Sequence, residues 1–394
     1  MDIRPEAELL LRSATALLDP EETDRIVALL QKEMDWVYLK EMGLRHGLMP
    51  ILYQCLKSYA PDSIPGSILT QFRDHSLSSA SRSIVMTEEL LSLLELFKAE
   101  GIPAIPYKGP VLAASLYKDL AVRPFNDLDI LVKKKDLFKA MDLMTSLGYQ
   151  PHFQLTRIQT AAFLKSKYEF PLTHRNGWLT VELKWNLAEN FFSFPLDQER
   201  LWERLQPASL NGKEILTFSA EDLLIILCVH GAIHLWPNLI WICDVGRLIH
   251  VHKDLNWESV LRHARTLRSE RMLYLGLSLG ARLLCAPLPE EVDRLIGADS
   301  VVKKLSQELI GCLFVRSDGH PTLWRSALFH LRARECLKDK LLYGTRLAMT
   351  TTVEDWSFFC LPDSLFALYH LLRPVRLALK YGVQPLRGGF TGND

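Results

Sequence analysis

The chain has 394 residues, 48% hydrophobic and 23% charged, with 46 Lys and Arg against 46 Asp and Glu. That is the composition of a globular protein with two or three cores, and zero net charge supplies no field to draw it to a long nucleic acid or an anionic membrane. The seven cysteines are scattered, odd in number and never spaced C-x-x-C, which argues against a disulfide framework or a structural zinc site and points to a reducing, cytoplasmic setting.

The first stretch, MDIRPEAELLLRSATALL, carries acids early and lacks the uninterrupted apolar run of a signal peptide. Residues 1–100 read as a helical segment. In DPEETDRIVALLQKEM, Asp19 caps a helix with Pro20 at its first position, and MTEELLSLLELFKAEG is amphipathic and stops at Gly101. The texture then changes. IPAIPY reads as a strand, KGPVLAASLY as a turn entering a helix, LDILV as a strand and KDLFKAMDLMTSLGY as a helix ending at Gly148. YEFPLTH and WLTVELKWNL flank Asn176-Gly177, a strong hairpin signal. Residues 101–210 therefore read as a sheet-bearing core, and 211–384 as a larger helical domain opened by Ser219, whose Asp222 three residues on completes a capping-box pattern. Its apolar run LLIILCVHGAIHLW is too short for a membrane span, and the last residues, 385–394, read as a flexible tail.

The strand LDILV has a carboxylate pair at its mouth. Side chains alternate along a strand, so Asp127 and Asp129 share one face while Leu128 and Ile130 point into a core. Like charges on one face repel, which leaves a solvated edge or a divalent cation as the two explanations. One strand earlier, Lys108-Gly109 opens a helix, where a glycine lets backbone N–H groups approach a phosphate. In the hairpin's second strand Glu182 lies on the polar face with Lys184, and Glu169 on the facing strand is its alternative. Carboxylates that hold metal ions, beside amides and cations that cradle a polyphosphate, are the parts phosphoryl chemistry needs.

The runs IPYKGPVLAASLYKDLAVRPFNDLDILV, TVELKWNL and EDLLIILCVHGAIHLWPNLIWICDVGRLI resemble the uncharacterised bacterial nucleotidyltransferase family of the DNA polymerase β superfamily. The similarity extends from WVYLKEMGLRHGLMPILY to LYHLLRPVRL, nearly the whole chain. It implies an α+β fold with a small mixed sheet of the polymerase β nucleotidyltransferase type. It also implies that Asp127, Asp129 and Glu182 hold Mg²⁺ or Mn²⁺, with Glu182 as general base, and that Lys108 and Gly109 restrain the phosphates of an NTP. The turn departs from the superfamily's Gly-Ser or Gly-Gly: Pro110 has no N–H and the serine hydroxyl is missing. The implied function is metal-dependent transfer of a nucleoside monophosphate to a small-molecule or protein acceptor. A phosphotransferase on the same fold, or a non-catalytic nucleotide or partner binder, stays open.

Other residues carry two readings each. Arg123 binds a phosphate or forms a structural ion pair, and Lys184 contacts substrate or forms a salt bridge. His230 and His234, one helical turn apart, either hold zinc with Asp244 or line the acceptor site, and the second reading is preferred. Trp236 and Trp241 read as packing, and Lys133, Lys134 and Lys135 as a solvated turn.

Overall fold

The computed structural model describes residues 3–16, 19, 22–59, 63–192, 197–315 and 322–381. The tail expected at 385–394 lies outside them, as does Pro20. Helices α1 (Pro5–Ala16), α2 (Thr23–Leu30), α3 (Trp36–Arg45), α4 (Met49–Tyr59) and the 34-residue α5 (Gly66–Ala99) come first. Strand β1 (Ala104–Pro106) and the single turn α6 (Pro110–Leu112) lead to β2 (Asp127–Val132), α7 (Leu137–Ser146), β3 (Tyr149–Pro151) and α8 (Arg157–Ser166). The hairpin β4 (Glu169–His174) and β5 (Thr180–Lys184) follows, and Gly177 supplies the positive φ of +73° that its turn requires. Next come α9 (Gln198–Glu203) and a second hairpin, β6 (Gln206–Leu210) and β7 (Lys213–Thr217). Helices α10 (Ala220–Ile233), α11 (Leu239–Val251), α12 (Trp257–Thr266), α13 (Glu270–Leu284), α14 (Glu290–Ala298) and α15 (Ser300–Leu313) form the next layer. The described chain closes with α16 (Leu323–Arg332), α17 (Leu337–Met349), α18 (Val353–Phe359) and α19 (Leu368–Tyr381).

The fold is α+β. Five strands form one sheet in the order β1-β2-β5-β4-β3, parallel between β2 and β5 and antiparallel elsewhere, so it is mixed. Leu128, Ile130, Val181 and Leu183 face a core built with α5, α7 and α8, through Leu90, Met144 and Phe163. Ile105, Tyr107 and Leu131 join a second core, which helices of the N-terminal hundred residues share with α10–α15. Helices thus cover part of both faces. Strand β2 is consequently an interior strand, and the solvated-edge explanation of its acids does not hold.

Ser219 caps α10 by accepting the Asp222 N–H, but the Asp222 carboxylate does not close the box. It takes two hydrogen bonds from Arg204 instead, both 2.9 Å, because a buried carboxylate gains more from a bidentate guanidinium than from one amide. Among the described residues no helix is long and apolar enough to cross a membrane.

Candidate active site

The parallel pairing of β2 with β5 places Asp129 opposite Glu182 and Asp127 opposite Thr180. Equal alternation on two paired strands then puts the three carboxylates on one face. Pairing of β4 with β5 brings Glu169 opposite Lys184 on that same face. Lys184 stands on the polar face of its strand, yet it is only 1% exposed. Alternation fixes the direction of a side chain, not what lies over it; here Tyr107 and Tyr168 stand close to the ammonium. Lys184 Nζ lies 3.1 Å from Asp129 Oδ1 and 2.7 Å from Glu182 Oε2, and it also bonds Glu169. Burial opposes its charge, but these carboxylates outweigh burial and raise its pKa.

The carboxylates divide accordingly. Burial alone would raise the Asp129 pKa, but Lys108 and Lys184 pull it below the usual range. Asp127 is raised, by burial and then by the neighbouring Asp129 charge. Glu182 is raised to about 7 by burial, against the opposing pull of Lys184.

At the turn after β1, Gly109 has φ +47°, and a Cβ there would meet the Asp127 carbonyl at 3.4 Å. Glycine is required by conformation, and the turn is thereby seated against the start of β2. Lys108 Nζ points to the same place, 3.7 Å from Asp129 Oδ1 and 3.1 Å from His230 Nδ1. Burial lowers the lysine's pKa, against the pull of Asp129. The helix α10 brings His230 and His234 over the acids, with ring centroids 4.6 Å apart. Trp241 packs against both, 4.5 and 5.6 Å away, and so lines the cleft instead of only the core. Burial holds both imidazoles neutral at physiological pH, His234 with a pKa of about 4. Trp236 is core: a Cβ on Gly231 would strike its indole at 2.5 Å, so the glycine permits the close approach that sets α10 in place.

These groups line a cleft of about 540 Å³. Arg123 lines it too, but its Nε and Nη2 donate to Asp244 at 2.8 and 2.7 Å, and Tyr117 donates to the same carboxylate at 2.9 Å. This commitment takes Asp244 away from the zinc set considered with His230 and His234. Lys133 donates to Glu199 and Lys134 to the Leu164 carbonyl, and neither lines the cleft. The sequence reading missed the part of the lining that α3 and α5 supply through Arg45, His75, Ser78, Ser79 and Arg82. The available signal was the spacing 75, 78, 79, 82, a single face of a helix.

Among the described residues no three His, Cys, Asp or Glu side chains converge as a ready metal cage. Lys184 occupies the point where Asp129, Glu169 and Glu182 meet. The remaining donors nonetheless suit a hard cation. They are all oxygens; buried Asp129 Oδ1 has no hydrogen bond of good geometry; and the Asp127 carboxylate has no ion pair among the described residues. Asp127 and Asp129 therefore fit Mg²⁺ or Mn²⁺, whereas Glu182 is drawn toward Lys184.

Residues 32–284, which include every one of these side chains, match the family described as uncharacterised nucleotidyltransferase. Among solved structures, the antibiotic-resistance factor ANT(2'')-Ia is similar at 13% identity and TM-score 0.34, over 50% of this chain and 96% of that one. An antigenic nucleotidyltransferase-like protein from Paracoccidioides brasiliensis is similar at 15% identity and TM-score 0.31, over 52% and 93%. No curated protein matches the chain. The family match spans well over half of the sequence, and the chain belongs to this family of uncharacterised nucleotidyltransferases.

Proposed function

We propose that the protein transfers a nucleoside monophosphate from an NTP to a hydroxyl of a small-molecule or protein acceptor, with Mg²⁺ or Mn²⁺. The observation that carries the reading is the pairing of Asp129 with Glu182 beside Asp127, at a cleft closed on one side by Lys108 and Gly109. Held by Asp127 and Asp129, the ion supplies charge neutralisation at the triphosphate and the acceptor oxygen. The acceptor oxygen bonds to the α-phosphorus, the bond from that phosphorus to the bridging oxygen breaks, and pyrophosphate leaves. Glu182, with a pKa near 7, accepts the hydroxyl proton once it turns from Lys184. Lys108 bears on the phosphates, Arg123 supports the loop before β2, and Lys184 holds the acids of β2 and β5 together. His230 and His234 meet the acceptor as neutral hydrogen-bonding rings. In this proposal residues 101–210 carry the chemistry, the segments 1–100 and 211–384 close the cleft, and seven unpaired cysteines suit a reducing cytosol.

The test is incubation with α-labelled NTPs, Mg²⁺ and pools of hydroxyl-bearing acceptors, with product mass as the readout. A product heavier by a nucleoside monophosphate, with pyrophosphate released, is expected. A product heavier by one phosphate, or no Mg²⁺-dependent pyrophosphate release from any NTP, sinks the reading.

A further inference from the structure

The wall contributed by α5 has a chemistry of its own. Ser78, Ser79 and Arg82 stand three, four and seven residues after His75, so the four form one row down the helix facing the cleft. On α5 the hydroxyls of Ser76, Ser81, Thr87 and Ser92 each donate to the carbonyl one turn earlier. Ser78 and Ser79 make no such bond, and Arg82 makes no hydrogen bond or ion pair among the described residues. The other cationic groups of the cleft are engaged. Lys184 is held by its carboxylates, Arg123 by Asp244, Lys108 by Asp129 and His230, and Arg45 donates to the Val315 carbonyl. The row is therefore an unpartnered set of donors lining the same cleft as the acids, and Pro110 leaves the turn after β1 one N–H short.

We infer that this row binds the phosphate oxygens of the bound nucleotide and replaces contacts that the Lys-Gly-Pro turn does not make. The inference rests on the proposed use of an NTP, and it assigns the polyphosphate end of that donor to α5. A guanidinium and hydroxyls are the donors that recognise phosphate oxygens, and a helix presents them at fixed spacing. The base and ribose are left to the remainder of the cleft.

The experiment measures binding of the four α,β-methylene NTP analogues with Mg²⁺, and of inorganic tripolyphosphate, to the wild-type chain, Arg82→Gln, the pair Ser78→Ala and Ser79→Ala, and Asp127→Asn. Both Arg82 and Ser78 are exposed, so thermal melting should show the row variants folded as wild type. Arg82→Gln is expected to weaken the preferred analogue and tripolyphosphate at least tenfold, the serine pair to weaken them less, and Arg82→Lys to recover part of the loss. Analogue affinity unchanged in Arg82→Gln overturns the assignment, and the nucleotidyl-transfer reading survives if Asp127→Asn still loses affinity. Loss of tripolyphosphate alone, with the analogue bound as before, also overturns it, because the row then serves a phosphate of the acceptor. If the wild-type chain binds none of the analogues, the donor reading itself falls, and the row's role with it.

Discussion

Lys184 Nζ stands 3.1 Å from Asp129 Oδ1 on the neighbouring strand, and the same ammonium bonds Glu182 two residues away on its own strand. One buried cation thus holds the acids of β2 and β5 together. Removing one partner of a buried ion pair leaves the other charges uncompensated, typically at about 3–5 kcal/mol. Lys184→Met should therefore lower unfolding free energy by that order. Without the ammonium the folded-state carboxylate pKa values shift upward, Asp129 from below its usual value and Glu182 further above its own, so the folded variant binds protons more readily. The gap to wild type should then narrow as pH falls from neutral, which denaturant titrations at several pH values would follow. A variant as stable as wild type throughout would show that the ammonium is not what keeps these acids in place.

Asp127 stands in the opposite situation. Its pKa is raised by burial and by Asp129, so its charge destabilises the folded state at neutral pH. Asp127→Asn should leave stability equal to or above wild type and should lack the Mg²⁺ thermal shift expected of the wild-type chain. Turnover should fall by about three powers of ten, the loss expected when several kcal/mol of transition-state stabilisation goes. Retained turnover, or a Mg²⁺ shift of wild-type size, contradicts metal binding at this residue.

The acid pair and the hairpin turn at Asn176-Gly177 were legible because each follows from local rules, alternation and positive φ, whereas the register of β5 against β2 is set by the fold. The burial of Lys184 was not, since a period of two says which residues share a face and nothing about what covers it. The second hairpin carries the same turn signal, Asn211-Gly212, with φ of +49° and +77°, but its strands lack the alternation that made the first one plain. Arg123 was readable only as a choice, because Asp244 lies 121 positions away and only the fold brings them together. The row on α5 was hidden for a related reason. A polar helical face looks solvated until another part of the chain turns it into a wall.

The Arg123–Asp244 pair ties the loop before β2 to α11, and both side chains are buried. Asp244→Ala should cost about 3–5 kcal/mol, since it strands the guanidinium and the Tyr117 hydroxyl together. The double variant Arg123→Met, Asp244→Leu should lose much less than the sum of the single losses, because no charge is left without its partner. Additive losses in this cycle, read by denaturant unfolding, would mean that the two residues do not act as a pair.

His46 supplies an acid-sensitive joint. It follows α3, is fully buried, and its ring bridges two distant elements: Nε2 lies 3.0 Å from the Leu313 carbonyl, and Nδ1 accepts the Leu239 N–H at 3.2 Å. The neutral ring with its proton on Nε2 satisfies both bonds. A second proton, on Nδ1, would face the Leu239 donor. Burial, with a smaller contribution from Arg45, lowers the pKa to about 4, against the Leu313 bond that favours the charged form. The folded pKa lies below the unfolded value of about 6.5, so between them the unfolded chain binds more protons. The stability contributed by the neutral ring is complete above pH ~6.5 and is lost as pH falls toward 4, to a total of about 3 kcal/mol. Part of the acid loss also belongs to His234 and His330, whose pKa values are likewise lowered to about 4. The His46 share is therefore read by difference. His46→Gln should be less stable than wild type at pH 8 but shallower in its decline between pH 7 and 4.5, as denaturant midpoints would record. Parallel curves for the two proteins would place the acid sensitivity elsewhere and remove His46 from it.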